Sequence, residues 1–151
     1  MRARAESPPP RPIDRLAGRA LAVSGVALIL VALLHLAMTD EIGQIVRRNT
    51  TGRAFGFLWP PYQLDHVAVG VLMMALGAVG ILMADGVRSG DPRAWRVGLV
   101  VSASVVGLAV SIMFTVGLRY FGEAPAFALA AAVIGVVGIG LSLPLLLGLR
   151  R

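Results

Sequence analysis

The chain contains neither cysteine nor lysine. Without cysteine it forms no disulfide, no iron–sulfur cluster and no thiolate metal site. Without lysine it has no Schiff-base or lysine nucleophile and no Walker A phosphate loop. All 14 basic residues are therefore arginine, and together with the high content of alanine, glycine and valine this favours a GC-rich prokaryotic genome.

Charge is also scarce. Only 15% of the 151 residues are charged, whereas 57% are hydrophobic, and soluble domains of this size have roughly 45–50% apolar residues. No acid or base lies in the middle third of any long apolar run; the polar groups there are serine and threonine. Because ion-coupled transport normally uses an ionisable group near the membrane midplane, the sequence argues against a small proton-coupled transporter.

The sequence predicts an all-α polytopic membrane protein, a four-transmembrane-helix bundle. The predicted spans are 20–38, 62–84, 95–118 and 125–149. The first run of 19 residues would be about 28 Å long as a helix, close to the roughly 30 Å of a hydrocarbon core. Residues 1–19 are predicted to be a basic, proline-rich cytoplasmic tail, 20–149 the transmembrane domain, and 39–61 an extracytoplasmic loop.

Local signals mark several helix ends. The tail is predicted to become helical near Ile13 or Asp14. Asp91-Pro92 marks the start of the third span, with the aspartate as N-cap and the proline in the first turn. The first span is predicted to continue beyond the membrane for a turn or two, whereas Pro60-Pro61 is predicted to hold the preceding residue out of helical geometry.

The distribution of arginine predicts the orientation. The side that holds both termini has the larger set: Arg2, Arg4, Arg11, Arg15, Arg19, Arg88, Arg93, Arg96, Arg150 and Arg151. The other side has Arg47, Arg48, Arg53 and Arg119. The positive-inside rule therefore predicts cytoplasmic N- and C-termini in a prokaryotic cell (inner) membrane. The scattered arginines form no aromatic-interleaved patch, so nucleic acid is not an expected partner.

Small residues recur at helical spacing within the spans. The second span has Gly70, Gly77, Gly80 and Ala84, and the third has Ala103, Gly107 and Ser111. Such ridges let helix backbones approach closely in lipid. The predicted partners are the bilayer and other integral membrane subunits, but the pattern does not say whether each partner helix is internal or belongs to another chain.

Both histidines are predicted to lie near the extracytoplasmic surface of the membrane. His35 is close to the end of the first span, and His66 follows Asp65 at the start of the second. With Glu41 and Asp65, the two imidazoles have the chemistry of a copper or zinc site, or of the axial ligands of one haem. The alternatives are hydrogen-bonded interfacial histidines without a cofactor, or contacts to a quinone or lipid headgroup.

The outer loop also combines charge with aromatic side chains. The predicted docking residues are Arg47, Arg48, Phe55, Phe57 and Trp59, of the residue types enriched at interface hot spots. The leading hypothesis is a non-catalytic accessory subunit of a larger membrane complex, of respiratory or other redox type. The alternatives are a haem- or copper-binding electron-transfer component that uses both histidines, and a homo-oligomeric channel or carrier.

Overall fold

The computed structural model describes residues 10–123 and Leu147, and the chain within that part is helical. Its helices are α1 (Pro12–Ala37), α2 (Thr39–Asn49), α3 (Gly52–Arg88) and α4 (Pro92–Glu123). Helices α1 and α3 are long and apolar enough to cross a membrane. The predicted all-helical class is confirmed. Apart from Leu147, the predicted fourth span 125–149 lies outside the described residues.

The core of the described part is an antiparallel seam between α1 and α3. Buried residues of α3 alternate in steps of three and four: Gly70, Met73, Gly77, Gly80, Ala84 and Val87. The facing residues of α1 are Asp14, Ala17, Gly18, Leu21, Ser24, Gly25, Leu28 and Ala32. A repeat of this kind averages 3.5 residues, which keeps one stripe of each helix against its partner as in a coiled coil.

Glycine residues allow the backbones of α1 and α3 to approach closely along this seam. A Cβ on Gly25 would lie 2.6 Å from the carbonyl oxygen of Gly77, and a Cβ on Gly77 would lie 2.6 Å from that of Gly25. Near one end, Gly18 accommodates the side chain of Arg88, and near the other Gly70 accommodates Leu36. The predicted small-residue ridge of the second span is therefore a packing surface, and its partner is α1 of the same chain.

A tight turn connects α3 to α4. Gly90 has φ +78°, a conformation that glycine adopts without a Cβ penalty. The N–H of Gly90 donates to Val87 O and that of Asp91 to Gly86 O, which is the Schellman pattern. Asp91 Oδ1 then accepts the N–H of Arg93 at 2.9 Å, which confirms the predicted N-cap of α4.

The segment predicted as an outer loop is mostly helical. Helix α2 occupies most of its first half, and α3 begins at Gly52 and continues through Pro60 and Pro61. The prediction that these prolines end helical geometry is wrong. Their missing N–H groups leave the carbonyls of Gly56 and Phe57 without helical partners, but both residues are exposed, so water can reach those carbonyls. We call residues 39–61 the helical tip.

The N-terminal end of α1 is fixed by an ion pair. Asp14 is buried, and its carboxylate accepts the backbone N–H of Arg11 at 2.8 Å and its Nη2 at 2.9 Å. These bonds satisfy a donor at the start of the helix, where no intrahelical partner exists. Helix α1 thus begins at Pro12, one residue before the earlier of the two predicted positions, and includes the last residues of the predicted tail; residues 1–9 lie outside the described part.

Candidate functional site

The two histidines meet at the end of the α1–α3 seam that adjoins the helical tip. His35 is in the last turn of α1, whereas His66 lies well inside α3 and not in its first turn as predicted. Their rings are stacked, with centroids 3.7 Å apart and an interplanar angle of 27°. His35 Nε2 lies 3.0 Å from His66 O, and His66 Nε2 lies 2.7 Å from His35 O.

These hydrogen bonds determine which nitrogen of each imidazole carries the proton. A backbone carbonyl only accepts, so each Nε2 carries the proton and donates it. The pair therefore joins α1 to α3 through two reciprocal side-chain-to-backbone bonds. In a bis-histidine haem the iron and its macrocycle lie between the two imidazoles, whereas these rings are in direct contact. The arrangement does not fit axial ligation of one haem.

The predicted carboxylate ligands are not part of this pair. Glu41 is exposed on α2 and Asp65 is exposed on α3, and each histidine donates a hydrogen bond to the backbone of the other. Among the described residues, no group of three or more histidine, aspartate or glutamate side chains has the arrangement of a metal site. The geometry is that of two stacked histidines hydrogen-bonded to each other's backbone.

Three of the five predicted docking residues form a cluster on the helical tip. The rings of Phe55 and Trp59 stack with centroids 5.9 Å apart, and the guanidinium carbon of Arg47 lies 4.9 Å from the centroid of Phe55. Gly43 of α2 faces this cluster, since a Cβ there would lie 2.8 Å from the Trp59 indole. Stacking and cation–π contacts of this kind hold α2 against the first turns of α3.

The other two predicted docking residues are available at the surface. Phe57 is 81% exposed, and Arg48 is also exposed. On a helix, residues two apart point in different directions, so Phe57 cannot share the inward contacts of Phe55 and Trp59. The structure thus divides the predicted set into three residues that contact one another and two exposed residues outside that cluster.

The tip also contains a shallow groove of about 270 Å³ between α2 and α3. It is lined by Asp40, Gly43, Gln44, Arg47, Phe55 and Trp59. Sequence reasoning did not single out Gly43 or Gln44. A signal was present: Ile42, Ile45 and Val46 are spaced as one apolar face of a helix, with acids at its start and arginines at its end.

Comparison with known proteins assigns no function to either site: the sequence matches no protein-family model, no curated protein and no solved structure. Two features of the described chain therefore bear on its function. One is the histidine pair, which binds the helices to each other. The other is the helical tip, which carries exposed aromatic and basic side chains.

Proposed function

We propose that this protein is a non-catalytic accessory subunit of a larger membrane assembly. It is held in a prokaryotic cell membrane as a four-span bundle with both termini in the cytoplasm. The apolar helices α1 and α3 support membrane integration, and the excess of arginine on the side of the termini supports the orientation. The helical tip then faces the extracytoplasmic side and binds a neighbouring subunit.

The observation that carries this proposal is the exposure of Phe57 on the tip. Helix α3 has 37 residues and is about 56 Å long, whereas a hydrocarbon core is roughly 30 Å thick. If the apolar part of α3 spans the lipid, the first turns of the helix, which begin at Gly52, therefore extend beyond it. An aromatic side chain that is 81% exposed there is costly in water and is the type that anchors protein interfaces.

The histidine pair supports a structural role over a catalytic one. Each Nε2 is used in a hydrogen bond that joins two helices. Four other polar side chains of the described chain are used in local bonds: Thr39, Asn49, Thr50 and Ser102 each donate to a carbonyl three or four residues earlier. These bonds satisfy the polar side chains within their own helices or at the helix ends, and nothing in their geometry aligns a nucleophile with a base.

The proposal is tested by isolating the tagged protein from its native membranes in a mild detergent and identifying the chains that co-purify. We expect a stoichiometric set of larger membrane proteins. The variant Phe57→Ala should retain at least tenfold less of that set, since truncating a hot-spot aromatic costs roughly 2 kcal/mol or more. Arg48→Ala should have a smaller effect in the same direction.

Leu30→Ala is the matched control, because Leu30 is 61% exposed but lies in the apolar part of α1. It should retain the partners at the wild-type level. Isolation of the wild-type protein without stoichiometric partners would overturn the proposal. Retention unchanged in Phe57→Ala would remove the tip as the binding surface.

A further inference from the structure

The end of the seam opposite the histidines carries an excess of arginine. Its described charged residues are Arg11, Arg15, Arg19, Arg88, Arg93 and Arg96, with Asp14, Asp85 and Asp91. Six positive and three negative charges give a net charge of +3 there. Two of the acids are already paired, Asp14 with Arg11 and Asp85 with Arg88. The third, Asp91, caps α4.

Arg88 is held between α1 and α3. Its aliphatic stem packs in the notch at Gly18, and its Nε is buried without a hydrogen-bond partner. The one hydrogen bond it makes among the described residues runs from Nη1 to Asp85 Oδ1 at 2.9 Å. The guanidinium has five N–H donors; Nε is buried and one Nη1 donor bonds to Asp85, so three Nη donors have no partner among the described residues.

Arg15 and Arg19 lie beside this notch. They are four residues apart and both exposed, and at about 100° per residue both fall on the same flank of α1 as seen from Gly18. Neither forms a salt bridge with a described acid, since those of this part of the chain are the pairs Arg11–Asp14 and Arg88–Asp85. Three basic groups thus lie at one junction of two helices.

The depth of this junction matches the phosphate layer of a bilayer. The apolar run of α1 begins at Ala20, so Arg15 and Arg19 lie within about 8 Å of its start at roughly 1.5 Å per residue. Arginine side chains at span ends extend toward the headgroups. Basic pockets between membrane helices on the cytoplasmic side are known to bind anionic headgroups.

We propose that Arg15, Arg19 and Arg88 form a binding site for the phosphate of an anionic phospholipid at the α1–α3 junction. Charge complementarity selects this occupant: a zwitterionic headgroup would bring its ammonium toward three arginines, whereas a phosphatidylglycerol headgroup brings only negative charge. The site depends on α1 and α3 crossing the membrane, and it does not depend on the accessory role proposed above.

The test uses the two tryptophans of the chain. In a Trp59→Phe background, Trp95 of α4 is the only tryptophan and lies near the same end of the bundle. The protein is reconstituted in mixed vesicles in which either phosphatidylglycerol or phosphatidylcholine carries brominated chains, and quenching of Trp95 gives their relative binding constant. We expect phosphatidylglycerol to be preferred several-fold.

The double variant Arg15→Gln/Arg19→Gln should bring the relative binding constant close to one, since two arginines near a charged surface contribute about 1 kcal/mol each, and Arg88→Gln should lower the preference as well. Arg47→Gln/Arg48→Gln is the matched control, because it removes the same charge from the other end and should leave the preference unchanged. An equal loss in the control would show a net-charge effect and overturn the site.

Two further outcomes also contradict the proposal. If the wild-type protein shows no preference for phosphatidylglycerol, the junction binds no anionic lipid. If soluble glycerol phosphate at millimolar concentration removes the preference completely, the ligand is a free phosphate ester and not a lipid. Circular dichroism of each variant checks that its helices are intact, so that a lost preference is assigned to the site.

Discussion

Gly25 of α1 and Gly77 of α3 are in mutual contact, so that a Cβ on either residue would lie 2.6 Å from the carbonyl oxygen of the other. This distance is too short for any real Cβ, so a side chain at either position forces the helices apart. The contact lies in the middle of the seam, between Leu21, Leu28 and Met73, which are buried. The two glycines therefore determine how closely these leucine and methionine side chains pack.

The first prediction follows from this contact. Gly77→Ala should lower the free energy of unfolding by about 1–3 kcal/mol, the usual cost of overpacking, as measured by denaturation in detergent. Gly56→Ala in the same helix is the control, because a Cβ there would have nothing within 4 Å. Alanine favours helix over glycine by up to about 1 kcal/mol, so the control should be neutral or stabilising. A neutral Gly77→Ala would contradict the close seam.

The sequence predicts that this glycine ridge packs closely against a helix, but not which helix that is. Gly70, Gly77 and Ala84 were predicted to allow close approach, and they do. The predicted start of α4 at Asp91-Pro92 is also confirmed. A ridge of small residues looks the same whether it faces α1 or another chain, and only the contacts of Gly25 and Gly18 identify α1.

The histidine geometry was less accessible to sequence reasoning. The acceptor of each imidazole is a backbone carbonyl, and every residue has one, so no spacing of residue types marks the bond. The loop prediction failed for a different reason. A Pro-Pro pair usually ends a helix, but here the carbonyls that lose their donors are exposed and the helix continues through Pro60 and Pro61.

The second prediction concerns the histidine pair. His66→Phe keeps an aromatic ring but removes the donor to His35 O, and His35→Phe removes the donor to His66 O. Each variant should lower the free energy of unfolding by about 1 kcal/mol, the net value of one such bond. Because the two bonds join the same helices at one point, losing the first should weaken the second, and the double variant should cost less than the sum of the two by at least roughly 0.5 kcal/mol.

Gln63→Ala serves as the control for this cycle, since Gln63 is an exposed polar residue of the same helix. It should leave stability unchanged. Strict additivity of the two histidine variants would show that the two hydrogen bonds form independently of each other. A loss of more than about 3 kcal/mol in the free energy of unfolding, confined to one variant, would point to a contact other than the reciprocal bonds.

The third prediction separates two ion pairs of equal spacing. Asp14 and Asp85 each pair with an arginine three residues away at 2.9 Å, but the side chain of Asp14 is 3% exposed and that of Asp85 is 89% exposed. Asp14→Asn should lower the free energy of unfolding by about 1 kcal/mol because it weakens the hydrogen bonds that begin α1. Asp85→Asn should have little effect, since water screens an exposed pair. Equal effects would contradict the structural role of Asp14.

The fourth prediction tests the orientation, and the absence of cysteine makes it a clean experiment. Gly56→Cys introduces one thiol on the exposed helical tip, and Ser89→Cys introduces one in the exposed turn between α3 and α4. With the tip outside and the turn in the cytoplasm, a membrane-impermeant maleimide should label only the first variant in intact cells. After the membrane is permeabilised, both should be labelled, which shows that each thiol is reactive.

Labelling of Ser89→Cys alone in intact cells would reverse the topology. It would place the Arg15, Arg19 and Arg88 junction in the outer leaflet, contrary to the positive-inside rule.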